Sequence, residues 1–156
     1  MPSLNWNALN NLQLGKYAEY YAKMELSSYW FDVYSSEVDD HGIDFIVKTR
    51  DGDFLEFQVK SVLRTDNVFL VKKNWDITNR NLYLIIMTFV DGFQPKSYII
   101  PATAWGSPNA LLKDYEYIGK KSDPEYALKL TRTNQHLLEP YGIDVQIAEI
   151  SLQRST

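Results

Sequence analysis

The chain has no cysteine, which rules out a disulfide framework and a thiolate metal site and fits a reducing compartment. Histidine is nearly missing too: His41 and His136 are the only two, with no regular ligand spacing, so His41 reads as a loop residue near a site rather than as a ligand. There is no excess of positive charge. Sixteen Lys and Arg against twenty Asp and Glu leave a net charge of -4, which argues against a protein that coats nucleic acid, because non-specific affinity comes from neutralised phosphates. A nuclease survives that test, since carboxylates that hold a metal add negative charge themselves. A local patch drawn from Lys16, Lys23, Arg64, Lys72 and Lys73 can still steer a polyanion. No apolar run reaches the length of a bilayer span, and MPSLNWNALNNLQ lacks the basic and apolar regions of a signal peptide. The expectation is a soluble cytoplasmic protein without a membrane partner. No repeat, low-complexity tract or linker divides the 156 residues, so one domain over 1–156 is expected.

What is present centres on the stretch from Asp40 to Val62, DHGIDFIVKTRDGDFLEFQVKSV. Residues 43–49 are rich in β-branched and aromatic side chains, Arg50-Asp51-Gly52-Asp53 carries the Asp-Gly pair of a hairpin turn, and residues 54–62 alternate strictly. A period of two sends Leu55, Phe57 and Val59 to one face and Glu56, Gln58 and Lys60 to the other. The polar face has two readings. It is an ordinary half-solvated strand face with cross-strand pairs, or, with Asp44 beside it, it gathers the acid, oxygen ligand and lysine that metal-assisted phosphodiester hydrolysis requires.

The flanking segments follow from periodicity. Residues 11–28 read as a helix with Leu14, Ala18, Tyr21, Ala22 and Leu26 on one stripe. Glu19 lies next to that stripe, where it pairs with Lys16 or Lys23 at helical spacing or serves a site. Gly15 costs a helix interior up to about 1 kcal/mol, which suggests a close backbone neighbour or a first turn that starts there. Strands are expected at 30–36, 67–73, 82–90 and 96–100. The run 82–90 is almost wholly apolar and so is expected to be buried on both faces. Residues 102–105 form a short helix or turn. Beyond Gly106 the pattern weakens, with short strands at 114–118 and 127–130 and a helix at 133–138. This order points to an α/β sandwich around a mixed sheet.

A helix with an acid at Glu19, then Gly42-Ile43-Asp44 opening a strand, then Gln58-Val59-Lys60-Ser61 in the next, resembles the PD-(D/E)XK nuclease superfamily. The likeness is to its Mrr-like branch, in which glutamine replaces the acid of the tripeptide, and to the small bacterial DUF4365-type domains. LGKYAEYYAKMEL and KSYIIPATAW also look like that domain type, and the resemblance covers about residues 12–105. It implies a restriction-endonuclease-like α/β/α sandwich with a central mixed β-sheet and a magnesium (or manganese) ion bound at one edge. Carried over, Asp44 is the metal-binding aspartate and Gln58 stands in the second acid position. Lys60 positions the attacking water or stabilises phosphate charge, the Val59 carbonyl completes the metal shell, and Glu19 is the helix acid. Two departures stand out: Gln58 is neutral, and proline is missing before the aspartate. Glu56, on the face of Gln58 and Lys60, is the reserve ligand.

The resemblance implies a metal-dependent endonuclease acting on DNA, with a role in restriction or defence. The competing reading is a nuclease fold without turnover that binds nucleic acid or a partner protein, which the acidic charge and Gln58 favour and the intact Asp44, Lys60 and Glu19 oppose. A third is an interaction protein whose eleven tyrosines mark a contact surface. Cutting both strands of a duplex calls for two sites, which a homodimer supplies.

Overall fold

A computed structural model describes residues 1–37 and 42–154. Its first long element is helix α1, Asn11–Ser28. Asn10 caps it: the Asn10 side chain accepts from the Gln13 N–H at 2.8 Å while the Gln13 side chain accepts from the Asn10 N–H at 2.9 Å. Two orphan donors of the first turn are thereby satisfied. Leu14, Ala18, Ala22 and Leu26 form its buried stripe. The helix therefore starts well before Gly15, and no atom lies within 4 Å of where a Gly15 Cβ would sit. Both expectations for that glycine are overturned, because the space over it is open.

Strands β1 (Asp32–Ser35), β2 (Phe45–Lys48), β3 (Phe54–Leu63), β4 (Asn67–Val71), β5 (Leu82–Phe89) and β6 (Lys96–Pro101) follow, then β7 (Leu112–Tyr115) and β8 (Glu125–Lys129). A five-stranded sheet has the order β1-β2-β3-β5-β6, and a three-stranded one the order β4-β8-β7. Only β3 and β5 run parallel in the larger sheet, so it is mixed. The Gly52 backbone, φ 90°, makes the β2–β3 turn, closed by Thr49 N–H to Asp53 O at 2.8 Å.

Every β5 residue except Thr88 is buried, as its unbroken apolar run predicts. Its odd-numbered side chains join α1, Phe45, Phe57 and a second helix in one core, and its even-numbered ones join Val62, Leu70, Trp105 and Leu128 in another. The result is an α/β sandwich around a central mixed sheet. Helices cover one face, and the small antiparallel sheet with its 3-10 turns covers the other. The second helix, α2 (Ile143–Arg154), was not foreseen; in place of the helix expected at 133–138 a 3-10 turn runs over Gln135–Tyr141 just before it. Arg154 at its end reaches Asp53 of the hairpin turn at 3.2 Å. Among the described residues no helix is long and apolar enough to cross a membrane.

Glu25 on α1 accepts the hydroxyl of the buried Ser97 on β6 at 2.5 Å. Burial pushes its carboxyl above the usual 4.5, and the Ser97 hydroxyl opposes that shift only in part. A raised folded-state value means that the protonated acid favours the fold. That stability is fully present below about pH 4.5 and is lost as pH rises through the elevated value. Glu25→Gln is therefore expected to melt higher than the native chain at pH 7, with the gap closing as pH falls toward 4.5. Thermal melts across that range check it.

Candidate functional site

The site is built where β2 and β3 part. β2 pairs with β3 only over Phe54–Phe57, whereas β5 pairs with β3 over Glu56–Leu63. From Gln58 onward one edge of β3 therefore carries no described strand. Just before the parting, the Asp44 N–H donates to the Phe57 carbonyl at 2.9 Å, although Phe57 is already the partner of Phe45. Two consecutive residues thus oppose one, a bulge, and bulges re-aim side chains. The Asp44 carboxylate turns onto the open edge and accepts the Val59 N–H at 2.6 Å. Because the N–H and C=O of a strand residue point to the same edge, the Val59 carbonyl faces the same opening.

Helix α1 closes the cleft from the other side. Asn11, Gly15 and Glu19 recur at intervals of four and so share one helix face; with Asp44 and Val59 they line a cavity of about 550 Å³. Glu19 is held by Lys23 at 3.1 Å and by Lys16 at 3.5 Å, and Lys23 also donates to the Ser35 hydroxyl at 2.9 Å. The exposed Lys16 pair contributes about 0–1 kcal/mol, whereas Lys23 and Glu19 are both mostly covered.

Of the residues singled out from sequence, the fold brings Glu19, Asp44 and Val59 to one cavity. Gln58 and Lys60 flank Val59 on β3, where alternation directs their side chains to the opposite face of the sheet. A Cβ on Gly42, whose φ is +73°, would come within 3.8 Å of the Gln58 amide. Lys60 is half-buried and makes no ion pair with a described residue. Glu56 sits elsewhere: it accepts from the Asn79 side chain at 3.1 Å and lines a separate cavity with Lys73 and Asp76. His41 lies outside the described residues. Sequence reading missed Asn11 and Gln13, which line the Asp44 cavity; only Asn11 carried a signal, its place on the Glu19 side of the helix.

The donor set suits a hard divalent cation. Two carboxylates and a strand carbonyl supply oxygen ligands, and magnesium retains several waters, so a sparse protein shell suffices. No group of three acids or histidines that could hold a metal occurs among the described residues.

No protein-family model matches the chain, and no curated protein does. Among solved structures it is similar to that of a bacterial homing endonuclease, I-Ssp6803I, with a TM-score of 0.55 at 16% identity; the match covers 94% of this chain and 98% of that one. At that identity the likeness concerns the fold, and it extends over nearly the whole length of both chains.

Because nothing fills the space over Gly15, Gly15→Ala is expected to raise stability by up to about 1 kcal/mol through helix propensity alone. Urea unfolding of the two chains measures the difference.

Proposed function

We propose that this chain is an endonuclease of the PD-(D/E)XK type, related to the Mrr-like branch, that hydrolyses phosphodiester bonds of DNA with the help of a divalent metal. The observation that carries the reading is the convergence of Asp44, the Val59 carbonyl edge and Glu19 on one open cavity at the parting of two strands. The likeness to a homing endonuclease over nearly the full length supports it.

Magnesium or manganese held by Asp44, the Val59 carbonyl and Glu19 would neutralise phosphate charge and ease the ionisation of water; the Gln58 amide, on the other face of β3, is left out of that shell. The chain's own groups have separable tasks. Asp44 is oriented by the Val59 N–H at the wall of the cleft. Glu19, released from Lys16 and Lys23, accepts a proton from the attacking water or orients it. Lys60 leaves β3 on the face opposite the cavity, so its compact charge would offset the negative charge that builds on the phosphate by reaching round the open edge of the strand. Water adds to phosphorus, one P–O ester bond breaks, and the departing sugar oxygen takes up a proton. Gln58 in the acid position and the two lysines on Glu19 weaken cation affinity, so millimolar metal is the regime in which activity is expected.

Asp44→Asn keeps an acceptor for the Val59 N–H and so preserves the fold, whereas Asp44→Ala would leave that donor unpaired at about 1–3 kcal/mol. Asp44→Asn and Lys60→Ala are each expected to lower magnesium-dependent DNA cleavage by about 10²-fold or more with little change in the melting temperature. Glu56→Gln, in its separate cavity, is expected to be milder than Glu19→Gln. Plasmid cleavage and magnesium calorimetry on these variants test the reading. A native chain that neither binds the metal nor cuts DNA would instead mark a binding module that keeps the fold without turnover.

A further inference from the structure

Most of the cations that suggested a basic patch are neutralised in the fold. Lys16 and Lys23 sit on Glu19, Lys72 is bonded to Asp114 and Glu116, and Lys73 lies 3.6 Å from Asp123. Arg64 is the exception. It lines a cavity of about 570 Å³ with Lys96 and Arg132, and no acid belongs to the lining. The three cations come from different parts of the chain: the loop after β3, the start of β6 and the loop after β8. None of them makes an ion pair or a side-chain hydrogen bond with a described residue. Like charges brought together raise the energy of the fold unless an anion joins them, and such a concentration is unexpected in a chain of net charge -4.

Two further features shape the cavity for more than a bare anion. Phe93 lines it and is 67% exposed, while its carbonyl is anchored by the Trp6 indole N–H at 2.9 Å; a fixed backbone presents an aromatic face to solvent, as stacking platforms for bases do. Arg64 has φ 67°, a left-handed conformation uncommon for a long side chain, and its N–H is tied to the Phe89 carbonyl at 3.1 Å. Backbone held this way directs its side chain at some local cost. Two acids act from outside the lining. Asp91 is occupied by Asn7 and also feels Arg64, and Glu139 bears on Tyr98.

We propose that this cavity binds a nucleotide unit, its phosphate held by Arg64, Lys96 and Arg132 and its base stacked on Phe93. The unit is either a free mononucleotide or one residue of a polynucleotide strand. Thr88 in the cavity wall pairs with Lys96 and, across β3, with Val62, two residues beyond Lys60 on the same sheet face. Arg64 is about 13 Å from Lys60 along the strand, the axial span of about four nucleotides. A strand reaching Lys60 could thus continue into the cavity, but occupation of the cavity does not depend on catalysis at Asp44.

The test is binding in metal-free buffer, so that its failure leaves the reading of the Asp44 cleft untouched. Thymidine monophosphate and inorganic phosphate are titrated calorimetrically, and a labelled single-stranded oligothymidylate by fluorescence anisotropy. The native chain is expected to bind the nucleotide, with affinity falling about tenfold for each charge-assisted contact removed in Lys96→Gln and Arg132→Gln. Phe93→Ala is expected to weaken the nucleotide and spare phosphate. Tighter binding of the oligonucleotide, with a log–log salt slope that drops by about 0.7 per cation removed, identifies a strand as the source; equal affinity identifies the free nucleotide. All three cations are exposed, so the variants are expected to melt like the native chain. The proposal is overturned if the native chain binds none of these probes, if correctly folded glutamine variants bind as well as it does, or if polyglutamate binds as tightly as the oligonucleotide, which would mark a surface for an acidic protein segment.

Discussion

Burial of β5 on both faces is the constraint on which the architecture depends. Leu82, Leu84 and Ile86 point one way and Tyr83, Ile85 and Met87 the other, and each such side chain contributes about 1.5–3 kcal/mol only if its own side is covered. One layer cannot cover both. The chain therefore supplies helices for one face and a small antiparallel sheet for the other, and it places β3 and β6 on the two edges of β5. The parallel pairing of β3 with β5 requires a long crossover, and β4 with the loops around it fills that interval.

The cleft is a by-product of this arrangement. β3 is ten residues long because β5 supports it from Glu56 to its end, while β2 has only four and supports only its beginning. The difference in length leaves an open strand edge with backbone groups in need of partners, and Asp44 answers one of them at Val59. A carboxylate that satisfies a backbone donor is also held in place for chemistry. The structural role of Asp44 and the chemical role proposed for it thus coincide, and separating them requires a substitution that keeps the acceptor. Glu19 differs, since its partners are side chains rather than backbone, and Lys23 keeps the Ser35 hydroxyl when Glu19 is removed.

Net charge alone would mislead about this protein. The overall balance is acidic, but it is not uniform over the surface. Lysines near the β4 and β7 strands are consumed by Asp114, Glu116 and Asp123, while Arg64, Lys96 and Arg132, which make no ion pair with a described residue, line one cavity. Electrostatic recognition responds to that local field rather than to the sum.

Much of the fold was legible from residues alone where one local signal dominated. The span of α1 follows from its apolar spacing. The hairpin follows from Asp51-Gly52 and the alternation of β3, and the depth of β5 from its unbroken apolar run. These are short-range properties, because helix and strand periods are set by backbone geometry within a few residues. α2 escaped because only Ile147 and Ile150 are buried in it, too few to mark a stripe. The order of acid, aspartate and Gln-x-Lys was equally readable as a pattern. Which of those residues meet was not: the bulge at Asp44, the parting of β2 from β3, the separate position of Glu56 and the open space over Gly15 all arise from the packing of segments distant in sequence. The gathering of Arg64, Lys96 and Arg132 belongs to the same class. Charge carries no periodicity, so only the tertiary structure decided which cations would be paired and which would be left to face one another.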